Sequence, residues 1–216
     1  MSEVGLRTVA GVLMILVALS AQWFGGTAFA MLVAAAATLM YYEWSQLVRG
    51  WGLRWHVGGF FYALIPAIAL LWMRERADVP GGYDDGFSLV LWAFIVTWAA
   101  DIGAFFAGRA FGGPKLAPSI SPAKTISGLV GGVIAAALLA GIWAAHRNLH
   151  WGWLLLAPLF ALAAAAGDLF ESWMKRRAGV KDAGALIPGH GGVLDRLDGL
   201  VPVVILTGLV AMAGLR

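Results

Sequence analysis

The sequence has no cysteine and few charged residues, and each shortage excludes a class of protein. The absence of cysteine among 216 residues excludes a disulfide framework, a thiolate metal site and a cysteine nucleophile. Only 12% of the residues are charged and 61% are apolar, whereas a soluble domain has about 25% charged and about 45–50% apolar residues. The excess of apolar residues predicts a protein that faces lipid.

Long uncharged runs indicate the membrane-spanning segments. No charged residue occurs over 8–42, and because a helix crosses the hydrocarbon layer in about 20 residues, two helices with a turn at Gly25-Gly26 fit this stretch. The alternative for its first part is a signal peptide, since Ala18 and Ser20 would suit the cleavage site. Further runs of near-spanning length lie at 57–73, 87–108, 126–146, 151–168 and 198–215.

These runs predict an all-α membrane protein with about seven transmembrane helices. A backbone in lipid must satisfy its own hydrogen bonds, and the runs lack the alternating pattern of a transmembrane barrel. Neither an internal repeat nor a linker is evident. We therefore expect one integral membrane domain over 1–216, with N-terminal helices at 1–86 and a second half at 87–216.

The distribution of lysine and arginine among the loops predicts the orientation. With seven crossings, one side holds eleven of the 15 basic residues, and the other side holds Arg74, Arg76, Arg147 and Arg216. The richer side is predicted to be cytoplasmic, which places the N-terminus inside and the C-terminus outside. Because the basic residues lie between apolar runs rather than along one soluble face, no nucleic-acid partner is expected.

A polar stripe is predicted where the sixth helix leaves the membrane. Asp168, Glu171, Ser172 and Lys175 are spaced i, i+3, i+4 and i+7, so they share one helix face. An ionisable residue at this depth is costly and indicates a functional site. The alternative is that Asp168 caps the helix or extends its carboxylate to the interface.

The segment that follows, 181–198, combines glycine, proline and carboxylates. Glycines around His190 allow the backbone to approach a ligand, with amides free to bind phosphate oxygens. Asp195 and Asp198 follow at the start of the last apolar run. Taken alone, Asp198 could be a helix N-cap and His190 a hydrogen-bonded structural residue. Together with Asp168, the aspartates are hard oxygen ligands of the kind that Mg²⁺ takes beside substrate phosphates.

The same residues resemble the signature of the phosphatidate cytidylyltransferase family. The match runs through Ser172-Trp-Met-Lys175-Arg176, then Lys181-Asp182, then Pro188-Gly-His190-Gly191-Gly192-Val-Leu-Asp195-Arg196-Leu-Asp198. Two earlier segments also resemble the family, Gly167-Asp168-Leu-Phe-Glu171 and the stretch from Asp101 through Ser119-Ile-Ser121-Pro122-Ala123-Lys124-Thr125. The earlier loop departs from the family pattern at Ala123, which replaces a lysine, and at Ile126-Ser127, which replaces a Trp-Glu pair.

The resemblance implies transfer of a cytidylyl group from CTP to phosphatidate, forming CDP-diacylglycerol and pyrophosphate. The catalytic residues it implies are Asp168, Lys175, Lys181, Asp195 and Arg196. The implied substrate-binding residues are Ser121, Lys124, Thr125, Ser172, Arg176, Asp182, His190, Gly191 and Gly192. The implied ligands of Mg²⁺ or another divalent cation are Asp168, Asp195 and Asp198.

The implied partners are CTP, phosphatidate and membrane lipids, in a bacterial inner membrane with the active site facing the cytoplasm. A monovalent co-ion and a homodimer are compatible with the sequence, which specifies neither. Three alternatives are another CTP-using membrane enzyme acting on a different lipid phosphate or a polyprenol, a transporter, and an inactive relative with a structural role. Against a transporter, no repeat relates the two halves, and the polar residues cluster at one face rather than at the midplane.

The predicted topology can be tested with single cysteines, because the natural chain contains none. Cysteines placed at positions 85 and 185 should react with a membrane-impermeant thiol reagent from opposite sides of the membrane, as seven crossings require. Labelling from the same side would contradict seven crossings.

Overall fold

The computed structural model describes residues 3–76, 85–187 and 191–214. Over these residues the chain forms long helices joined by short connections, with one small hairpin. The elements in chain order are α1 Glu3–Phe24, α2 Gly26–Leu47, α3 Leu53–Arg74, α4 Asp85–Phe111, β1 Lys115–Ala117, β2 Ser121–Thr125, α5 Ile126–His146, α6 Gly152–Arg177, α7 Leu194–Leu197 and α8 Leu200–Met212.

Four helices are long and apolar enough to cross a membrane by length and composition. They are Leu53–Arg74, Gly86–Phe111, Ile126–His146 and Gly152–Arg177, and two shorter apolar helices lie at Thr8–Phe24 and Leu200–Met212. The expected all-α membrane protein is confirmed at this level. The count of seven crossings and the orientation stay predictions.

The helix boundaries follow the apolar runs closely. The expected turn at Gly25-Gly26 is confirmed, because α1 ends before it and α2 begins within it. Gly25 has φ +61° and Gly26 has φ +48°, a left-handed conformation that glycine adopts without steric cost. The loop expected ahead of the apolar run 126–146 contains a hairpin in the structure, the antiparallel pair β1–β2 with Ala117 opposite Ser121.

The most extensive helix contact joins α4 to α5, and small residues make it possible. A Cβ on Gly131 would overlap the Cβ of Ala107 and lie 3.1 Å from the Gly103 carbonyl oxygen. A Cβ on Gly132 would lie 2.6 Å from the Ala100 carbonyl oxygen. Close backbone approach through small residues is a common way for membrane helices to associate. Here it brings the end of α4 and the start of α5 together beside the hairpin.

Polar contacts are concentrated at the two ends of the bundle. At one end, Gln22 Nε2 donates to the Phe87 carbonyl at 3.1 Å, and Arg147 Nε donates to Ser88 Oγ at 2.8 Å. At the other end lie the hairpin, the last turns of α6 and the short helix α7. Those residues of the family signature that the structure describes belong to this second end.

The α4–α5 contact predicts a position-specific sensitivity to side-chain size. Gly131→Val should lower the free energy of unfolding by about 1–3 kcal/mol more than the same substitution elsewhere on a helix, because the added atoms overlap α4. Gly58→Val in α3 is the matched control, since a Cβ there meets nothing within 4 Å. Thermal unfolding in detergent, followed by circular dichroism, checks the difference, and equal melting temperatures for the two variants would contradict it.

Candidate functional site

A cavity of about 680 Å³ lies where α4, α5 and α6 meet the hairpin and α7. Its apolar wall includes Ala100, Ala104, Phe105, Leu129, Val133, Ala161 and Ala165. Its polar end includes Asp101, Lys124, Asp168, Lys175, Asp195, Arg196 and Asp198. One cavity therefore offers both an apolar surface and a group of charged side chains, which suits a ligand that is itself part apolar and part charged.

Three carboxylates lie close together here, and two of them, Asp168 and Asp198, line the cavity. Asp168, Glu171 and Asp198 each offer an oxygen within 4.8 Å of the other two. Glu171 is only 1% exposed, and its Oε1 has no hydrogen-bond partner among the described residues. Burying unpaired carboxylate oxygens is costly, and hard oxygen ligands of this kind suit a divalent cation. These three residues, called the carboxylate cluster below, therefore fit a Mg²⁺ ion.

Asp198 lies between α7 and α8, and its environment disfavours the charged form. Burial, followed by repulsion from Asp168, raises the pKa of Asp198 to about 7. The Gly199 amide donates to Asp198 Oδ1 at 2.7 Å, which acts in the opposite direction. A bound cation would favour the ionised form, since a nearby positive charge lowers the pKa of a carboxylate.

Lys175 connects the carboxylate cluster to Asp195. Its Nζ lies 2.5 Å from Glu171 Oε2 and 2.6 Å from Asp195 Oδ1. The other oxygen of Asp195 accepts hydrogen bonds from the Ala183 amide at 2.9 Å and the Gly192 amide at 2.8 Å. Burial opposes ionisation of Asp195, but the hydrogen bonds from Lys175 and Gly192 outweigh it and lower its pKa.

The predicted metal ligands thus fall into two groups. Asp168 and Asp198 lie in the carboxylate cluster, whereas both oxygens of Asp195 contact Lys175 or backbone amides. Glu171 occupies the third place in the cluster. Asp195 as a metal ligand stays a prediction.

The hairpin contributes one charged residue directly to the cluster. Lys124 Nζ forms an ion pair with Asp168 Oδ2, so the structure brings this predicted substrate-binding residue to the cavity. Thr125 serves as the N-cap of α5, and its Oγ1 accepts a hydrogen bond from the Gly128 amide at 3.1 Å. Ser121 lies on β2 opposite Ala117. Ala123, which departs from the family pattern, also lines the cavity.

Two of the predicted substrate-binding residues, Ser172 and Arg176, lie on α6 and donate hydrogen bonds to nearby groups. Ser172 Oγ donates to Asp168 Oδ1 at 3.4 Å. Arg176 Nε donates to the Ile120 carbonyl at 3.2 Å, and its Nη1 donates to the Val180 carbonyl at 3.3 Å. Arg176 therefore ties the turn of the hairpin to the end of α6.

The remaining predicted residues lie on or near the segment that leads to α7. Arg196 lines the cavity, and Lys181 and Asp182 are exposed. Gly191 has φ +79° and its carbonyl accepts from the Ile187 amide at 2.9 Å; Gly192 supplies an amide to Asp195. His190 falls outside the described residues.

Three carboxylates of this region, Asp101, Glu171 and Glu43, were not among the predicted site residues. Glu171 was placed on the correct helix face but was not predicted as a ligand. Glu43, near the end of α2, is 2% exposed, and its Oε2 accepts from the Leu194 amide at 2.7 Å. The signal that could have found Glu43 is the one that indicated Asp168, an acidic residue directly after a long uncharged run.

Comparisons with known proteins show which sequences this chain is similar to. A model of the cytidylyltransferase family matches residues 53–213. A phosphatidate cytidylyltransferase of Brucella suis is 36% identical, over 93% of this chain and 90% of its own length. Enzymes of the same name from Haemophilus influenzae and Pseudomonas aeruginosa are 45% and 37% identical, over 67% and 78% of this chain and 52% and 62% of their own lengths.

Proposed function

We propose that this chain, which belongs to the cytidylyltransferase family, transfers the cytidylyl group of CTP to phosphatidate and so forms CDP-diacylglycerol and pyrophosphate. The family match over most of the chain carries the proposal. The cavity supports it, because phosphatidate has acyl chains and a phosphate, and one wall of the cavity is apolar while its end is charged.

The proposed reaction joins two polyanions, so charge neutralisation is the main task of the protein. An oxygen of the phosphatidate phosphate attacks the α-phosphorus of CTP, the bond from that phosphorus to the bridging oxygen breaks, and pyrophosphate leaves with the bonding electrons. A phosphate monoester has its second pKa at about 6, so the attacking group is largely ionised at neutral pH. Neither a protein nucleophile nor a general base is required.

Basic side chains around the cavity are proposed to bind the phosphates. Lys124 on β2 and Lys175 on α6 each form an ion pair with a residue of the carboxylate cluster, and Arg196 lines the cavity. Positive groups fixed before the reaction stabilise the charge that develops on the phosphorus oxygens. Lys181 and Asp182, which are exposed, are proposed to contact the part of CTP nearest the water.

Asp168, Glu171 and Asp198 would hold the Mg²⁺ ion, which when bound neutralises phosphate charge. Lys124 pairs with Asp168 and Lys175 pairs with Glu171, so both ammonium groups lie beside the carboxylate cluster. Incoming phosphates would take over part of these lysine contacts. Asp195 keeps Lys175 in position from the other side.

We further propose that the chain is a single domain of the bacterial inner membrane, with about seven crossings and the cavity near the cytoplasmic surface. The polar contacts support this topology. Seven alternating helices would place the connections α1–α2, α3–α4 and α5–α6 and the end of α8 on one side of the membrane, and hydrogen bonds join residues near these connections in the fold. Arg76, for example, donates to the Ala211 carbonyl at 3.0 Å, at the end far from the carboxylate cluster. The excess of basic residues supports the orientation.

The activity can be measured directly. Purified protein in detergent, given labelled CTP, phosphatidate and Mg²⁺, should form CDP-diacylglycerol and pyrophosphate in equal amounts, and EDTA should abolish the reaction because the phosphates are left unneutralised. Other lipid phosphates offered in parallel identify the acceptor. Absence of product with any of several divalent ions would contradict the proposal.

The metal ligands can be distinguished by their dependence on Mg²⁺. Glu171→Gln and Asp198→Asn should each raise the half-saturating Mg²⁺ concentration by about tenfold or more, as loss of groups at a metal site commonly does. Asp195→Asn should instead lower turnover at saturating Mg²⁺, because it weakens the contact with Lys175.

Initial rates across a Mg²⁺ titration give both the half-saturating Mg²⁺ concentration and the turnover of each variant. If Asp195→Asn shifted the half-saturating concentration most, Asp195 rather than Glu171 would be the third ligand. If Asp195→Asn kept near-normal turnover at limiting Mg²⁺, its prediction as a ligand would be wrong.

A further inference from the structure

We propose that Glu43 of α2 is a positioning residue for the active site, a role that rests on the proposed cytidylyl transfer. It holds residues 183–187 and 191–195, together called the glycine-rich segment below, in the arrangement that places Asp195 against Lys175. Glu43 precedes residues 53–213, which match the family, and it does not line the cavity. It acts through the backbone that it contacts.

The Glu43 carboxylate lies between two parts of the glycine-rich segment. Its Oε2 accepts a hydrogen bond from the Leu194 amide at 2.7 Å, at the residue where α7 begins. A methyl group built on either Gly184 or Gly192 would overlap this carboxylate. The two glycines therefore allow the backbone to close around Glu43 from both sides, and a side chain at either position would push it away.

Contacts lead from Glu43 to the carboxylate cluster in three steps. Gly192, which packs against Glu43, donates its amide to Asp195 Oδ2 at 2.8 Å. Asp195 Oδ1 then accepts from Lys175 Nζ at 2.6 Å. Lys175 in turn lies 2.5 Å from Glu171 Oε2. A shift of the segment at Glu43 would therefore displace Asp195, and Lys175 would lose one of its two carboxylate partners.

The chemistry of Glu43 favours a positioning role over simple packing. The side chain is 2% exposed, and its Oε1 has no hydrogen-bond partner among the described residues. A buried carboxylate with so few partners costs free energy, and an apolar side chain of the same size would fill the space without that cost. What the carboxylate supplies is an acceptor oxygen aimed at one backbone amide 151 positions away in the chain.

The first test separates the acceptor from the charge. Glu43→Gln keeps an acceptor at the same reach, so kcat should stay within about threefold of the natural chain. Glu43→Asp is one methylene too short, and Glu43→Ala has no acceptor, so both should lower kcat by about tenfold or more, the scale of leaving one buried backbone amide without a hydrogen bond. A role that depends on charge would give the reverse order, with Asp more active than Gln, and would overturn the proposal.

The second test observes the segment without using activity. A cysteine at Ala183, which is partly buried, reports opening of the segment, and a cysteine at the exposed Ala185 is the reference. Glu43→Ala should raise the rate of thiol labelling at 183 by about tenfold and leave the rate at 185 unchanged. Equal labelling at 183 with and without Glu43 would overturn the proposal.

Gln22→Ala is the matched control for both tests. Gln22 is a fully buried polar residue whose Nε2 donates to a distant carbonyl, but it lies at the opposite end of the bundle. Its loss should lower the melting temperature and leave both kcat and labelling at 183 unchanged. If Gln22→Ala reproduced the effects of Glu43→Ala, the role of Glu43 would be general stability and the proposal would be wrong.

A double-mutant cycle tests the contact with the segment itself. Gly184→Ala should lower kcat in the natural chain, because its methyl group overlaps the carboxylate, and should have little further effect once Glu43→Ala has removed that carboxylate. Such non-additivity indicates direct coupling, and additive effects would contradict it. If Glu43→Ala does not accumulate, the comparison of Gln with Asp decides the matter.

The natural chain, assayed beside the variants, separates this proposal from the proposed function. No CDP-diacylglycerol from the natural chain would refute cytidylyl transfer, and the labelling rates would still report whether Glu43 holds the segment. Product from the natural chain with no loss in Glu43→Asp or Glu43→Ala would refute the positioning role alone.

Discussion

The ion pairs of Lys175 are the interaction on which the rest of the site depends. One ammonium group lies between Glu171 Oε2 and Asp195 Oδ1, and its side chain is only 12% exposed. Without it, two buried carboxylates from different elements would face each other, at a cost that few local contacts could offset. Lys175 thus joins the end of α6 to α7, and the carboxylate cluster forms beside this junction.

The apolar bundle gives this polar group a fixed place at its edge. Small residues allow α4 and α5 to approach closely, and the hairpin that follows α4 delivers Lys124 to Asp168. The cavity beside these elements is lined by both apolar and charged residues. In the proposed transfer from CTP to phosphatidate, its apolar lining would accommodate acyl chains and its basic residues would meet the phosphates.

The N-terminal helix α2 contacts the segment that carries signature residues. The Glu43 carboxylate lies against Gly184 and Gly192, and α2 contacts α7. The sequence suggested a division between N-terminal helices at 1–86 and the half at 87–216 that holds the signature. The contacts of Glu43 and α2 join these two parts. The backbone of the glycine-rich segment is held from α2 on one side and through Asp195 and Lys175 on the other.

The long helices, the break at Gly25-Gly26 and the shared face of Asp168, Glu171 and Lys175 could be predicted from the amino-acid sequence alone. These features depend on local composition, on glycine conformation and on helical periodicity, which can be read from neighbouring residues. The resemblance located most of the charged residues that line the cavity. The hairpin was missed because its register depends on pairing between strands, and the capping role of Thr125 was missed because it depends on where α5 begins.

Which carboxylates lie together depends on tertiary packing and could not be predicted from the sequence. Glu171 joins Asp168 and Asp198 in the cluster while Asp195 contacts Lys175 and two amides, although all four lie close together in the sequence. Glu43 reaches an amide 151 positions away. These hydrogen-bond and ion-pair partners depend on how whole helices pack, because a buried polar atom bonds to a group that the packing brings within about 3 Å. The residues next to it in the sequence do not specify that group.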